Sequence, residues 1–130
     1  MKNQSLDTRL SGILETLPSL RLAFIFGSFA NGSPGPDSDV DVAVLYEHPL
    51  DAQQKMALIQ AIAEATDRPV DLVDLHRAGE PLLGQILKGR RIFGSDSEHA
   101  ELGLRHIYQN EDFMPYVERM LRERRQAWIG

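Results

Sequence analysis

The chain has 130 residues, a formal net charge of −5, 42% hydrophobic and 25% charged residues, and no cysteine. That balance excludes disordered, collagenous and coiled-coil chains, and the missing cysteine removes disulfide frameworks, thiolate metal sites and cysteine nucleophiles. No apolar run is longer than Leu22 to Phe26, far short of the ~20 residues a spanning helix needs, and no basic-then-apolar leader opens the chain. The expectation is a soluble, cytoplasmic protein of one domain, residues 1–130, with no membrane contact. A net negative charge also argues against direct nucleic-acid binding through the phosphate backbone. The charge is unevenly spread: from Asp37 to Asp74 there are nine acidic residues against Lys55 and Arg68, a local −7, and the rest is +2. An acidic centre of this kind suits divalent cations, and a solvated acidic surface gives the same tally.

In chain order, Leu6, Leu10, Ile13, Leu14 and Leu17 follow helical spacing up to Pro18. Residues 20–26, apolar and aromatic-rich, are short enough for a buried strand, which Gly27 ends. The Gly-, Pro- and Ser-rich stretch from Gly32 to Ser38 must be a loop, and Asp39 to Leu45 reads as a second strand. Asp51 followed by Gln54 predicts a capping box for a helix to about Thr66, with Met56, Ile59, Ile62 and Ala63 on one face. Arg68-Pro69 breaks that helix, and Val70 to Leu75 alternates as a third strand. A short helix over Pro81 to Lys88 and an edge strand over Arg91 to Phe93 follow, with Gly94-Ser95 as a loop. From about Ser97 the chain reads as helical to about residue 127, interrupted near Met114-Pro115. The order is α/β: a mixed β-sheet flanked by helices, with a core at about 20–95 and a C-terminal helical segment.

The stretch that carries chemistry is Gly27-Ser28, ten residues, then Asp39-Val40-Asp41. Side chains alternate along a strand, so Asp39 and Asp41 share one face while Val40, Val42 and Val44 point to the core. Two neighbouring carboxylates repel unless a cation lies between them, and such oxygen pairs suit Mg²⁺, which keeps phosphates and waters as its other ligands. Gly27, with no Cβ, lets a phosphate approach the backbone, and Ser28 offers a hydroxyl and an amide. Asp71, in phase with Val73 and Leu75, is the third candidate carboxylate, whereas Asp74 points the opposite way. Three carboxylates, two metal ions and a nucleotide triphosphate make a two-metal phosphoryl-transfer site.

GSFANGSPGPDSDVDVAVL resembles the signature of the polymerase-β-like nucleotidyltransferase superfamily. With its short length and PVDLVDL supplying the third acid, the chain resembles the minimal nucleotidyltransferases (MNT), commonly antitoxins of HEPN-domain toxins. The resemblance implies a small nucleotidyltransferase fold in which Gly27 and Ser28 hold the nucleotide phosphates. It further implies that Asp39 and Asp41 bind Mg²⁺, two ions in all, and that Asp71 completes the site and activates the attacking hydroxyl. By the same resemblance the donor is ATP, the reaction is AMP transfer with release of pyrophosphate, and the acceptor is a tyrosine hydroxyl of a cognate HEPN toxin, held in a hetero-oligomer. Many relatives carry Arg after the Gly-Ser-x-Ala stretch, where this chain has Asn31, a lost cation beside the nucleotide. The Arg-to-His nuclease signature of the toxins is missing.

Two other functions compete: an antitoxin that acts by covering its toxin without catalysis, and a nucleotidyltransferase that modifies a small molecule. His48, His76, His99 and His106 lack ligand spacing and receive no role. Tyr108, Phe113, Tyr116 and Trp128 lie near Arg105, Arg119, Arg122, Arg124 and Arg125, a composition that fits either packing on the sheet or a protein interface.

Overall fold

The computed structural model describes residues 2–32, 35, 38–109 and 119–125, with side chains from Leu6 onward. Helix α1 (Lys2–Leu14) leads into strand β1 (Leu20–Phe26), a 3₁₀ turn at Gly27–Phe29 and strand β2 (Val40–Tyr46). Helix α2 (Ala52–Thr66), strand β3 (Val70–Asp74), helix α3 (Leu82–Leu87), strand β4 (Arg90–Phe93) and helix α4 (Asp96–Gln109) complete the described order. The strands form one sheet in the order β3-β2-β1-β4. β1 runs antiparallel to β2 and β4, whereas β2 and β3 are parallel. The sheet is mixed, as the sequence predicts.

Alternation divides the sheet between two cores. Ala23, Ile25, Val40, Val42, Val44 and Leu72 face one way and pack with Leu10 and Leu14 of α1 and Leu58 and Ile62 of α2. Leu22, Phe24, Phe26 and Ala43 face the other way and pack with Leu83 and Ile86 of α3 and Leu102 of α4. Removing such side chains from water contributes about 1.5–3 kcal/mol each. Both cores are needed, because a four-stranded sheet with one bare apolar face would expose far more hydrocarbon than a soluble domain does.

Local signals set the element ends. Asp51 caps α2 by accepting from the Gln54 amide at 2.7 Å, while the Gln54 side chain accepts from the Asp51 amide, so the predicted capping box is present. α1 stops at Leu14, earlier than the predicted Leu17. Leu17, the residue before Pro18, is pushed out of helical geometry and reaches the core from outside the helix. The buried stripe of α2 also differs from the expected one. Met56 is 61% exposed, and Leu58 is buried in its place with Ile62. Leu58 and Ile62 are four residues apart and stack on one face, whereas Met56 sits about 200° away around the helix. The predicted C-terminal helix is present as α4 and again over residues 119–125; the interruption near Met114-Pro115 lies outside the described residues.

The two positions separate in a stability measurement. Leu58→Ala is expected to cost about 2–5 kcal/mol, and Met56→Lys to stay within about 0.5 kcal/mol of the parent, both by urea denaturation. Equal losses would contradict the observed stripe.

Candidate active site

The parallel pairing of β2 with β3 assembles the site. Asp41 and Asp71 are register partners, flanked by the pairs Val40 with Val70 and Val42 with Leu72. Paired residues on adjacent parallel strands share a face, so the two carboxylates lie side by side while their neighbours enter the α1/α2 core. Asp39 precedes β2 by one residue and is exposed. Asp41 is half-buried and Asp71 exposed. On the other side, Asp41 is the register partner of Phe26, the last residue of β1 before Gly27-Ser28. Gly27, Ser28, Asp39, Asp41 and Asp71 therefore meet at one end of the sheet, on the face that α3 and α4 cover further along.

Electrostatics reports the same convergence. Burial first, then the charge of Asp71, then that of Asp39, pushes the Asp41 carboxyl above its ordinary value of 3.8. Only charges close enough to interact in a partly desolvated site do this.

Gly27 is fixed by two independent constraints. Its φ is +70°, in the left-handed region, and a Cβ built there would lie 2.3 Å from Asp41 Oδ2. The glycine is thus required by the carboxylate behind it. The turn it opens is closed by the Ala30 and Asn31 amides, which both donate to the Gly27 carbonyl at 3.1 and 3.2 Å. Ser28 is partly exposed in the middle of that turn.

Asp74 has another task. It is 5% exposed, on the opposite face, and accepts from the Leu50 amide at 2.9 Å and the His76 amide at 3.0 Å. Three of the four histidines are engaged in packing or hydrogen bonds: His76 Nε2 meets the Tyr46 carbonyl, His99 stands edge-on to Phe24, and His106 pairs with Glu80. Among the described residues, no three His, Asp or Glu side chains close up tightly enough to hold an ion by themselves. The donor set nevertheless fits Mg²⁺. All its side-chain donors are carboxylate oxygens, they are partly open, and this ion takes nucleotide oxygens and waters to complete its octahedron.

Arg68, which sequence reasoning treated only as half of a helix-breaking Arg-Pro, touches residues next to both halves of the motif. Its guanidinium lies 5.0 Å from the Phe29 ring centroid and donates to the Gly35 and Ser38 carbonyls. No local signal marks it, because its partners are 30 or more residues away.

Two outcomes follow from the crowding. A carboxyl whose value rises on folding loses stability as the pH climbs from its unfolded value through its folded one. Asp41→Asn should therefore raise the Tm of the metal-free protein at pH 7, with the gain disappearing below the ordinary value of 3.8; an Asn variant that melts lower at pH 7 would contradict the repulsion. Gly27→Ala should cost about 1–2 kcal/mol from the left-handed backbone alone, plus the displacement of Asp41, a loss readable by urea denaturation.

The model of the polymerase beta, nucleotidyltransferase family matches residues 8–98. The protein adenylyltransferase MntA of Shewanella oneidensis is 36% identical over 85 residues, which is 65% of this chain and 61% of that protein. The chain thus spans about three-fifths of this curated relative. Over longer stretches it superposes on a crystal structure of a toxin-antitoxin with AMP-PNP, at a TM-score of 0.74 and 30% identity, covering 95% of this chain and 94% of that one. It also superposes on a complex of tri-AMPylated Shewanella oneidensis HEPN toxin with MNT antitoxin, at 0.69 and 27%, covering 97% and 94%. The match to more than half of the chain, over the elements that bring the carboxylates together, places this protein in the polymerase β nucleotidyltransferase family.

Proposed function

We propose that this chain is a Mg²⁺-dependent protein adenylyltransferase that transfers AMP from ATP to a tyrosine hydroxyl of a cognate HEPN-domain toxin and so silences it. The observation that carries the reading is the side-by-side placement of Asp41 and Asp71 next to Gly27-Ser28, with Asp41 raised by the charges of Asp71 and Asp39. Carboxylates held this close without a structural partner gain nothing from one another. Support for the donor and the acceptor comes from relatives: one is a protein adenylyltransferase, one structure holds AMP-PNP, and another is a complex with a tri-AMPylated toxin.

Asp39, Asp41 and Asp71 would hold two Mg²⁺ ions, which supply positive charge to the triphosphate as negative charge moves onto the leaving pyrophosphate. Gly27 and Ser28 orient the phosphates on the backbone of the 3₁₀ turn. Asp71, more exposed than Asp41, accepts the proton of the incoming tyrosine hydroxyl. The hydroxyl oxygen forms a bond to the α-phosphorus, the bond between α-phosphorus and bridging oxygen breaks, and pyrophosphate leaves. Residues 1–130 act as one domain in the cytoplasm. Among the described residues, no helix is long and apolar enough to cross a membrane.

The toxin requires a docking face. Leu104, Ile107 and Tyr108 of α4 are 53%, 37% and 61% exposed. Their spacing of three and four residues puts them on one stripe of the helix. That stripe is the surface we assign to the hetero-oligomer; Phe113, Tyr116 and Trp128 lie outside the described residues.

Incubation with Mg²⁺, α-labelled ATP and the HEPN protein, followed by intact mass, is expected to add one or more AMP units to the toxin. Asp39→Asn combined with Asp41→Asn should abolish the addition while the circular dichroism spectrum stays native. A stable complex that suppresses toxicity with no mass gain would replace the enzyme by an antitoxin acting through binding alone.

A further inference from the structure

We infer that Arg68 is a positioning residue that fixes Asp39 relative to the Gly27–Phe29 turn. The inference rests on the proposed metal and nucleotide site and adds to it a residue outside the motif.

Asp39 is flanked on both sides by residues bonded to the Arg68-Pro69 dipeptide. On one side, Arg68 Nη1 donates to the Ser38 carbonyl at 3.2 Å and to the Gly35 carbonyl at 3.0 Å. On the other, the Val40 amide donates to the Pro69 carbonyl at 2.9 Å. The Gly35 to Ser38 turn is itself braced, since the Ser38 hydroxyl oxygen accepts from the Gly35 amide at 2.6 Å and the Ser38 amide donates to the Gly35 carbonyl at 3.2 Å. Both of its carbonyls converge on one guanidinium nitrogen. The guanidinium also lies over the ring of Phe29, the residue after Ser28, where the electron-rich ring face attracts the cation.

One side chain thus contacts the turn proposed to seat the phosphates and the loop that delivers the first carboxylate, and two residues after Pro69 its own strand delivers Asp71. Holding a backbone residue in one conformation costs entropy. Asp39 is exposed, so no packing of Asp39 itself replaces the tether. Lysine cannot substitute fully: an ammonium can reach carbonyls, but it has no plane to lay on Phe29.

The experiment titrates Mn²⁺ into the full chain with AMP-PNP present and reads free Mn²⁺ by electron paramagnetic resonance. Arg68→Met, which keeps bulk against Phe29 but donates nothing, is expected to raise the Mn²⁺ dissociation constant about tenfold or more. Arg68→Lys should fall between Met and the parent. Leu58→Ala, destabilised from the far core, serves as the stability control and should keep the parent value. Arg68→Met with the parent's constant, or a Leu58→Ala loss as large as its own, would overturn the positioning role. A parent chain that binds no Mn²⁺ would instead overturn the site reading on which it rests.

Discussion

The contact between the Asp41 carboxylate and the bare Cα of Gly27 is the point from which the rest of the site is built. It ties the end of β1 to the start of β2, and the parallel pairing of β2 with β3 then places Asp71 alongside. A methyl group at residue 27 would occupy the space of the carboxylate oxygen. The glycine and the aspartate, fourteen positions apart, therefore form one unit. The ten-residue spacing between Gly-Ser and Asp-x-Asp lies within the connection that returns the chain from β1 to the antiparallel β2.

The rest of the fold keeps this corner open. α1 and α2 seal the opposite face of the sheet, so the carboxylates have only one direction to go. α3 and α4 cover their own face over Leu22, Phe24, Phe26 and Ala43, with Leu45, Val73 and Leu75 packed beside them. Asp41 marks the border: partly desolvated by the packed end, partly open to solvent, with a raised carboxyl as the result. Mutual repulsion at this border costs stability, and under the proposed function a bound cation would offset it, linking ligand binding to folding through the same three side chains.

Much of this was legible in the sequence because the signals are local. Strand alternation put Asp39 and Asp41 on one face and Asp74 on the other, and both placements follow from a period of two. The capping box at Asp51 and Gln54 is a four-residue pattern and is present as read. The misplacement of Met56 has the opposite origin. Leu58 and Met56 are equally apolar, and which one is buried depends on how α2 rotates against α1 and the sheet, a tertiary fact. Arg68 escaped for the same reason: its hydrogen bonds span 30 and 33 positions. Asp74 could be set aside as a site residue, but its hold on the Leu50 and His76 amides could not be foreseen, because it depends on two loops meeting at the end of β2 and β3.

The strand order leaves β3 and β4 as the outer strands of the four. An outer strand with unpaired backbone groups is a template for association with another chain, and charges along it are one of the ways proteins prevent this. β3 is five residues long and contains two aspartates, and β4 begins with two arginines, which pair with Asp7 and Asp96. Asp71 thus stands at a position where a carboxylate also guards against sheet extension. The negative charge that crowds Asp41 sits on the border of the sheet, where it discourages a further strand from pairing.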